Sequence, residues 1–94
     1  MRSGEVQLVN ELGLHARASA KFVHVANRFA SDVRLEFEGT EVAAKSILGL
    51  LLLAAPCGST LTLTCEGDDE DACFAELQEL LAVGFGELPE RASP

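Results

Sequence analysis

The chain has 94 residues and a formal net charge of −8, from 15 acidic and 7 basic side chains. This length fits one domain and excludes two separate cores, and an apolar fraction of 48% is typical of a globular protein and not of a disordered one. The acidic balance argues against nucleic acid as a partner, because phosphate backbones are bound mainly by Lys and Arg.

The first two predicted elements are a strand and a half-buried helix. Val6 and Leu8 point inward in a strand over residues 5–10. From Ala16 to about Ala30, apolar residues recur every three or four positions and predict a helix. Its inward side is expected to hold Ala16, Ser19, Ala20, Val23, Ala26, Phe29 and Ala30, and its outward side a basic stripe of Arg17, Lys21, His24 and Arg28.

A hairpin and a short helix come next. Val33, Leu35 and Phe37 alternate with charged residues over positions 32–38, and Gly39 turns the chain into a second strand at 40–43. A helix over residues 47–55 then begins after Ser46 and is stopped by a proline.

The last two elements are a strand with one apolar face and an amphipathic helix. Leu61, Leu63 and Cys65 alternate with threonines over residues 60–65, and acids at 68–71 favour the start of a helix. The order β-α-β-β-α-β-α predicts an α+β open-faced β-sandwich, in which a four-stranded antiparallel sheet carries three helices on one face. Two βαβ halves also fit a ferredoxin-like fold. We expect one domain over residues 1–88 and a flexible tail at 89–94.

Cysteine usage and apolar runs indicate the compartment. Cys57, Cys65 and Cys73 are odd in number and lack the CxxC spacing, so we expect neither a disulfide framework nor a metal site, and no cofactor. The longest apolar run falls short of the ~20 residues that span a bilayer, and the first residues do not resemble a signal peptide. We therefore expect a cytoplasmic protein without membrane insertion.

The segment Gly13-Leu14-His15-Ala16-Arg17 is the main candidate site. It delivers His15 to the position just before a helix, where unpaired backbone N–H groups and the helix dipole attract anions. A neutral imidazole is a competent nucleophile at pH 7, and the Arg17 guanidinium can stabilise phosphoryl oxygens. The alternative interpretation is a histidine that only caps the helix.

Ser46 and the leucines after it form a second candidate site. Ser46 is predicted to cap a helix, and a phosphate there would act as a switch by adding negative charge next to an apolar surface. Its alternative role is the cap alone. The run 47–53 is apolar all round, so some of its leucines either face a partner or are more buried than the pattern indicates.

Taken together, these motifs resemble a known family. The segments Gly13-Leu14-His15-Ala16-Arg17 and Lys45-Ser46-Ile47-Leu48-Gly49, followed by Gly58-Ser59 and a Thr/Leu strand, are similar to those of HPr, the histidine-containing phosphocarrier of the bacterial phosphoenolpyruvate phosphotransferase system. The likeness runs from about residue 5 to residue 87.

The resemblance implies a relay protein and not a complete enzyme. Enzyme I would transfer a phosphoryl group to His15 Nδ1, Arg17 would hold the phosphate, and His15 would pass it to a IIA domain. HPr kinase/phosphorylase would be a further partner, acting on Ser46. The implied docking surface is formed by Ala16, Ala20, Lys21, Ile47, Leu48 and Leu51. A carrier that presents one face to successive partners is expected to be a monomer.

One position departs from the family pattern. Ala18 stands where the family commonly has proline, which restricts the unfolded chain. Because alanine is less rigid, it is expected to lower the stability of the fold by ~0.4–1 kcal/mol without removing a phosphate ligand. Two alternatives remain: a regulatory paralogue, of the nitrogen-type or kinase-linked branch, that is not coupled to sugar uptake, and an interaction module that is never phosphorylated.

Overall fold

The computed structural model describes residues 1–86, so the predicted tail at 89–94 lies outside the described residues. The elements are β1 (Arg2–Gln7), α1 (Ala16–Ala26), β2 (Asp32–Phe37), β3 (Thr40–Ala43), α2 (Ile47–Leu53), β4 (Thr60–Glu66) and α3 (Glu70–Ala82). A short turn of left-handed 3₁₀ type, Gly84–Gly86, follows α3, and all three of its residues have positive φ. This order confirms the predicted β-α-β-β-α-β-α arrangement.

The four strands form one antiparallel sheet in the order β1-β4-β2-β3. Alternation along the strands places Leu35 of β2 opposite Leu63 of β4, and both side chains are fully buried. All three helices pack on the face that carries these leucines, while the threonines of β4 lie on the other face. The predicted α+β open-faced sandwich is therefore confirmed.

The buried side of α1 differs from the predicted one. The structure buries Ala18, Ser19, Phe22 and Ala26, whereas Ala16 and Ala20 are exposed. Alanines occur all around this helix and do not define its inward face. Phe22 does, because its ring is the largest apolar surface the helix can remove from water. The basic stripe of Arg17, Lys21, His24 and Arg28 is exposed, as predicted.

Helix α1 also ends at Ala26 and not near Ala30, and a distant carboxylate explains the difference. The chain tightens after Ala26, where the Phe29 N–H donates to the Ala26 carbonyl at 3.2 Å. The backbone N–H groups of Ala30 and Ser31 then donate to the carboxylate of Asp69, each at 2.9 Å. Since these two donors are bound by a residue 38 or more positions away, the helix does not continue.

Two further boundaries shift because of local pairing. Strand β1 begins at Arg2, which lies opposite Cys65 in the sheet, and ends before Leu8, whose N–H and carbonyl pair with the turn at Gly58 and Ser59. The predicted inward positions Val6 and Leu8 are both buried. Helix α2 ends at Leu53 because Ala54 adopts a left-handed conformation with φ of 51°.

The three cysteines are free thiols in two environments. Cys57 is exposed in the turn before β4, whereas Cys65 and Cys73 are fully buried in the core between β4 and α3. Burial raises the pKa of Cys65 to about 12 and also raises the pKa of Cys73. Across residues 1–86, no cluster of three or more His, Cys, Asp or Glu side chains is placed to hold a metal ion. Within the same residues, no helix combines the length and the apolarity needed to cross a bilayer.

Candidate functional site

The loop before α1 is held in shape by a buried asparagine and by the turn after α2. The Asn10 side-chain Nδ2 donates to the Gly13 carbonyl at 2.7 Å, and the Gly13 N–H donates back to the Asn10 carbonyl at 3.1 Å. The Leu14 N–H donates to the Ala55 carbonyl at 3.0 Å. These bonds fix the path of the chain immediately before His15.

Gly13 is required by this packing. Its φ of +66° lies in the left-handed region, and a Cβ placed there would lie 2.5 Å from the Ala55 carbonyl oxygen and 2.9 Å from Pro56 Cα. Both contacts are with backbone atoms, which cannot rotate away. A side chain at this position would therefore displace the loop that presents His15.

His15 is the N-cap of α1. Its backbone is extended, with φ of −78° and ψ of 178°, and its ring Nδ1 accepts a hydrogen bond from the Arg17 N–H at 3.2 Å. A ring nitrogen that accepts a hydrogen bond has a lone pair and no proton. The half-buried imidazole thus directs its nucleophilic Nδ1 toward the first backbone amides of the helix, where the dipole favours an anion.

His15 and Arg17 line a surface depression of about 410 Å³. The other lining residues are Glu11, Leu12, Lys21 and Gly86. Three of the six are charged, and two of those three are cations. The lining thus combines the imidazole ring of His15 with more positive than negative side chains, which favours an anion over a cation.

The end of the described chain contributes to this site, which the sequence did not reveal. The Lys21 ammonium donates to the Phe85 carbonyl at 2.8 Å, so the 3₁₀ turn after α3 lies against α1.

The sequence analysis also did not identify Asn10 as a residue that shapes the site. An asparagine three positions before a glycine is a turn signal that could have identified it.

Not all residues of the basic stripe can contribute positive charge near His15. Arg28 forms an ion pair with Glu76 of α3 at 3.0 Å, whereas Arg17 and Lys21 line the depression. Arg17, Lys21 and His24 also border a shallow groove between α1 and α3 whose floor includes Leu80. The positive charge near His15 is thus supplied by the first half of the stripe.

Ser46 is the N-cap of α2, as predicted. Its Oγ accepts a hydrogen bond from the Gly49 N–H at 3.1 Å, and the residue is exposed. The neighbouring Lys45 directs its ammonium to the Phe29 carbonyl at 2.7 Å. Ser46 is accessible for modification, but it does not line the depression at His15.

The leucine run is largely exposed, as its all-round apolar pattern indicated. Leu50 and Leu53 face the core, while the outer side of α2 forms an apolar patch of Ile47, Leu48, Leu51 and Leu52. Leu48 and Leu52 are the most exposed of these, at 69% and 74%. Since α2 packs beside α1, the patch and the exposed Ala16 and Ala20 lie on adjacent helices. An exposed apolar patch of this kind is typical of an interaction surface.

Comparison with known proteins connects these features to a function. The family described as "PTS HPr component phosphorylation site" matches residues 2–82. The chain is 46% identical over 87 residues to the phosphocarrier protein HPr of Cupriavidus necator, an alignment that covers 93% of this chain and 98% of that protein.

Solved structures agree with this match. The crystal structure of HPr from Thermoanaerobacter tengcongensis superimposes with a TM-score of 0.91 at 37% identity, covering 95% of this chain and all of that one. The crystal structure of Crh, the catabolite repression HPr of Bacillus subtilis, is described as a swapped, intertwined dimer. It matches with a TM-score of 0.69 at 41% identity, over 97% of this chain and all of that one.

Proposed function

Because the chain belongs to the family of HPr phosphocarriers of the phosphotransferase system, we propose that His15 accepts a phosphoryl group from phosphorylated Enzyme I and passes it to IIA domains. HPr proteins are phosphocarriers and not enzymes. The observation that carries the proposal is the position of His15 Nδ1 at the N-cap of α1, in a depression shared with Arg17.

The proposed transfer step uses the existing hydrogen bond. The lone pair of His15 Nδ1 forms a bond to phosphorus while the bond between phosphorus and the donor atom of Enzyme I breaks, and the donor atom keeps that electron pair. The Arg17 N–H now donates to Nδ1 and loses this acceptor when the N–P bond forms. It can then donate to a phosphoryl oxygen, while the Arg17 guanidinium balances the added negative charge.

A phosphorylation assay tests this proposal. The purified protein is incubated with Enzyme I and phosphoenolpyruvate, and intact mass is expected to show one added phosphoryl group that is labile in acid. His15→Ala should abolish the addition, and His24→Ala, a change to the other histidine of the chain, should leave it. The assignment would be contradicted if His15→Ala still accepted the phosphoryl group, or if both variants failed to accept it.

We infer that partners dock on the two helices beside His15. The proposed docking surface comprises Ala16, Ala20, Lys21, Ile47, Leu48 and Leu51, all of them exposed. It combines an apolar centre with a positive border, on a molecule whose net charge is −8. We therefore expect the surfaces of Enzyme I and of IIA domains that dock here to be acidic or mixed in charge. We also propose that the protein is cytoplasmic and monomeric.

We propose Ser46 as a regulatory site. A phosphate on its exposed Oγ would stand at the edge of the apolar patch and would interfere with docking there. Incubation with HPr kinase/phosphorylase and ATP is expected to add one phosphoryl group that survives acid, and Ser46→Ala should prevent this. The phosphoserine form should then accept phosphoryl groups from Enzyme I more slowly.

A second candidate function is regulation without sugar uptake. The similarity to Crh, named for catabolite repression, favours this candidate specifically. The two functions differ in the partner that receives the phosphoryl group, so transfer from phosphorylated protein to a sugar-specific IIA domain distinguishes them. If Enzyme I from the same organism never phosphorylates the chain, an interaction module without phosphorylation becomes the better interpretation.

A further inference from the structure

We propose that Lys21 is a second phosphate ligand, held at the depression by the 3₁₀ turn at the end of the described chain. This inference rests on the proposed function, because the phosphate in question is the one carried by His15. It assigns to Lys21 a contact with the phosphoryl group in addition to any role in docking.

Helix geometry places the ammonium of Lys21 near the phosphoryl group. Arg17 and Lys21 are four residues apart and so occupy the same side of α1. Side chains on a helix lean toward its N-terminus, which is the end that carries His15. Both cations accordingly line the same depression as the imidazole ring.

The 3₁₀ turn explains why Lys21 stays in that position. Gly84, Phe85 and Gly86 all have positive φ, at 63°, 59° and 75°. The left-handed conformation is unfavourable for a phenylalanine, and here the burial of its ring compensates for it. The result is a carbonyl of Phe85 that accepts one N–H of Lys21 at 2.8 Å.

One hydrogen bond does not exhaust the ammonium group. A lysine side chain carries three N–H donors, and the Phe85 carbonyl accepts one of them. The remaining donors can reach an oxyanion in the depression without release of the turn. A long and mobile side chain is thereby held near the site before any phosphoryl group arrives, which reduces the conformational entropy lost on binding.

Lys21 determines the net charge of the side chains that line the depression. The charged lining residues are Glu11, Arg17 and Lys21, which carry a net charge of +1. Without Lys21 the carboxylate of Glu11 balances Arg17, and the surroundings of the phosphoryl group become neutral. Lys21 therefore adds to the preference for the dianionic form of the phosphohistidine that the N-terminus of α1 already provides.

The test follows the last ionisation of the phosphoryl group by ³¹P NMR. Phosphoramidate serves as the donor: the ring nitrogen of His15 forms the N–P bond and ammonia leaves phosphorus, so Enzyme I is not needed. A cation near the phosphate lowers the midpoint of this ionisation. Lys21→Gln is expected to raise the midpoint by about 0.5 pH unit relative to the wild type, and Lys21→Arg, which keeps the charge, should raise it less.

Arg34→Gln is the matched control. It removes one positive charge from β2, on the face of the sheet opposite the helices, and should leave the midpoint unchanged. An equal midpoint in Lys21→Gln and in the wild type would overturn the role of Lys21 while leaving His15 as the acceptor. If no acid-labile phosphate forms on His15 in the wild type, with phosphoramidate or with Enzyme I, the proposed function fails and this inference fails with it.

Discussion

At the scale of single residues, Gly13 determines the shape of the loop that presents His15. Its backbone conformation is left-handed, and the carbonyl of Ala55 and the Cα of Pro56 occupy the space that a side chain would need. Gly39, in the β2–β3 turn, has a similar φ of +84° but no atom within 4 Å of its Cβ position. A comparison of substitutions at the two glycines therefore distinguishes the free-energy cost of the left-handed backbone from the cost of the steric overlap.

Gly13→Ala is expected to destabilise the protein more than Gly39→Ala. Both variants incur about 1 kcal/mol for a left-handed alanine, and Gly13→Ala adds an overlap with rigid backbone. We expect an additional loss of at least ~1 kcal/mol, together with slower phosphorylation of His15. Urea unfolding and the phosphorylation assay measure the two effects. Equal losses in the two variants would contradict a contact at Gly13.

The sequence allowed part of the site to be predicted at this scale. Histidine before a helical pattern predicted the N-cap position of His15, and the structure confirms it because capping depends on adjacent residues. The bond between Lys21 and Phe85 joins residues 64 positions apart. No local pattern encodes such a contact, since it exists only after α1 and α3 have packed together. The functional roles of His15, Arg17 and Ser46 stay predictions.

At the scale of elements, Asp69 fastens the start of α3 to the loop before β2. Hydrogen bonds from the Ser31 hydroxyl and from the Ala30 N–H hold the pKa of Asp69 below its usual value of 3.8. A carboxyl group with a lowered pKa in the folded state stabilises it fully above the usual value. This contribution is lost as the pH falls from 3.8 toward the lower folded-state value.

Asp69→Asn should therefore flatten the acid side of the stability curve. The variant is expected to be less stable than the wild type at pH 7, and the difference should shrink as the pH falls below about 4. Asp68→Asn is the matched control, because Asp68 is the exposed neighbour. Urea unfolding between pH 3 and pH 7 measures both. A constant difference across this range would contradict the role of the Asp69 charge.

The cap of α2 gives a second prediction for an element. Ser46→Ala removes the acceptor for the Gly49 N–H and should cost ~1 kcal/mol of unfolding free energy. Ser46→Asp keeps a capping oxygen and should stay close to the wild type in stability. The comparison, made by urea unfolding, separates the structural role of Ser46 from any regulation. Equal stability of the alanine variant and the wild type would contradict a stabilising cap.

Elements with a clear period were predicted better than those defined by distant contacts. Strands β2 and β4 alternate large apolar and polar residues, so their inward faces followed from the sequence. Helix α1 has alanines on several sides, and only Phe22 fixes its buried face. Its end near Ala26 depends on Asp69, which belongs to a different part of the chain.

At the scale of the whole molecule, the monomer proposed above makes a prediction about the mass of the protein in solution. Strand β1 is paired over its whole length with β4 of the same chain. Sedimentation equilibrium at micromolar concentration is therefore expected to give a mass near 10.0 kDa. Twice that mass would instead indicate a dimer, as described for Crh.

The different burial of the three cysteines makes thiol reactivity a measure of local unfolding in this protein. Cys57 is exposed, while Cys65 and Cys73 are buried and have raised pKa values that suppress the thiolate. A thiol reagent should thus consume one equivalent per chain rapidly and two more only when the sheet and α3 separate. The slow phase would time that separation in the native protein without denaturant. A dye attached at Cys57 would sit on the turn that supports Gly13, so its fluorescence could follow partners arriving at His15 in real time.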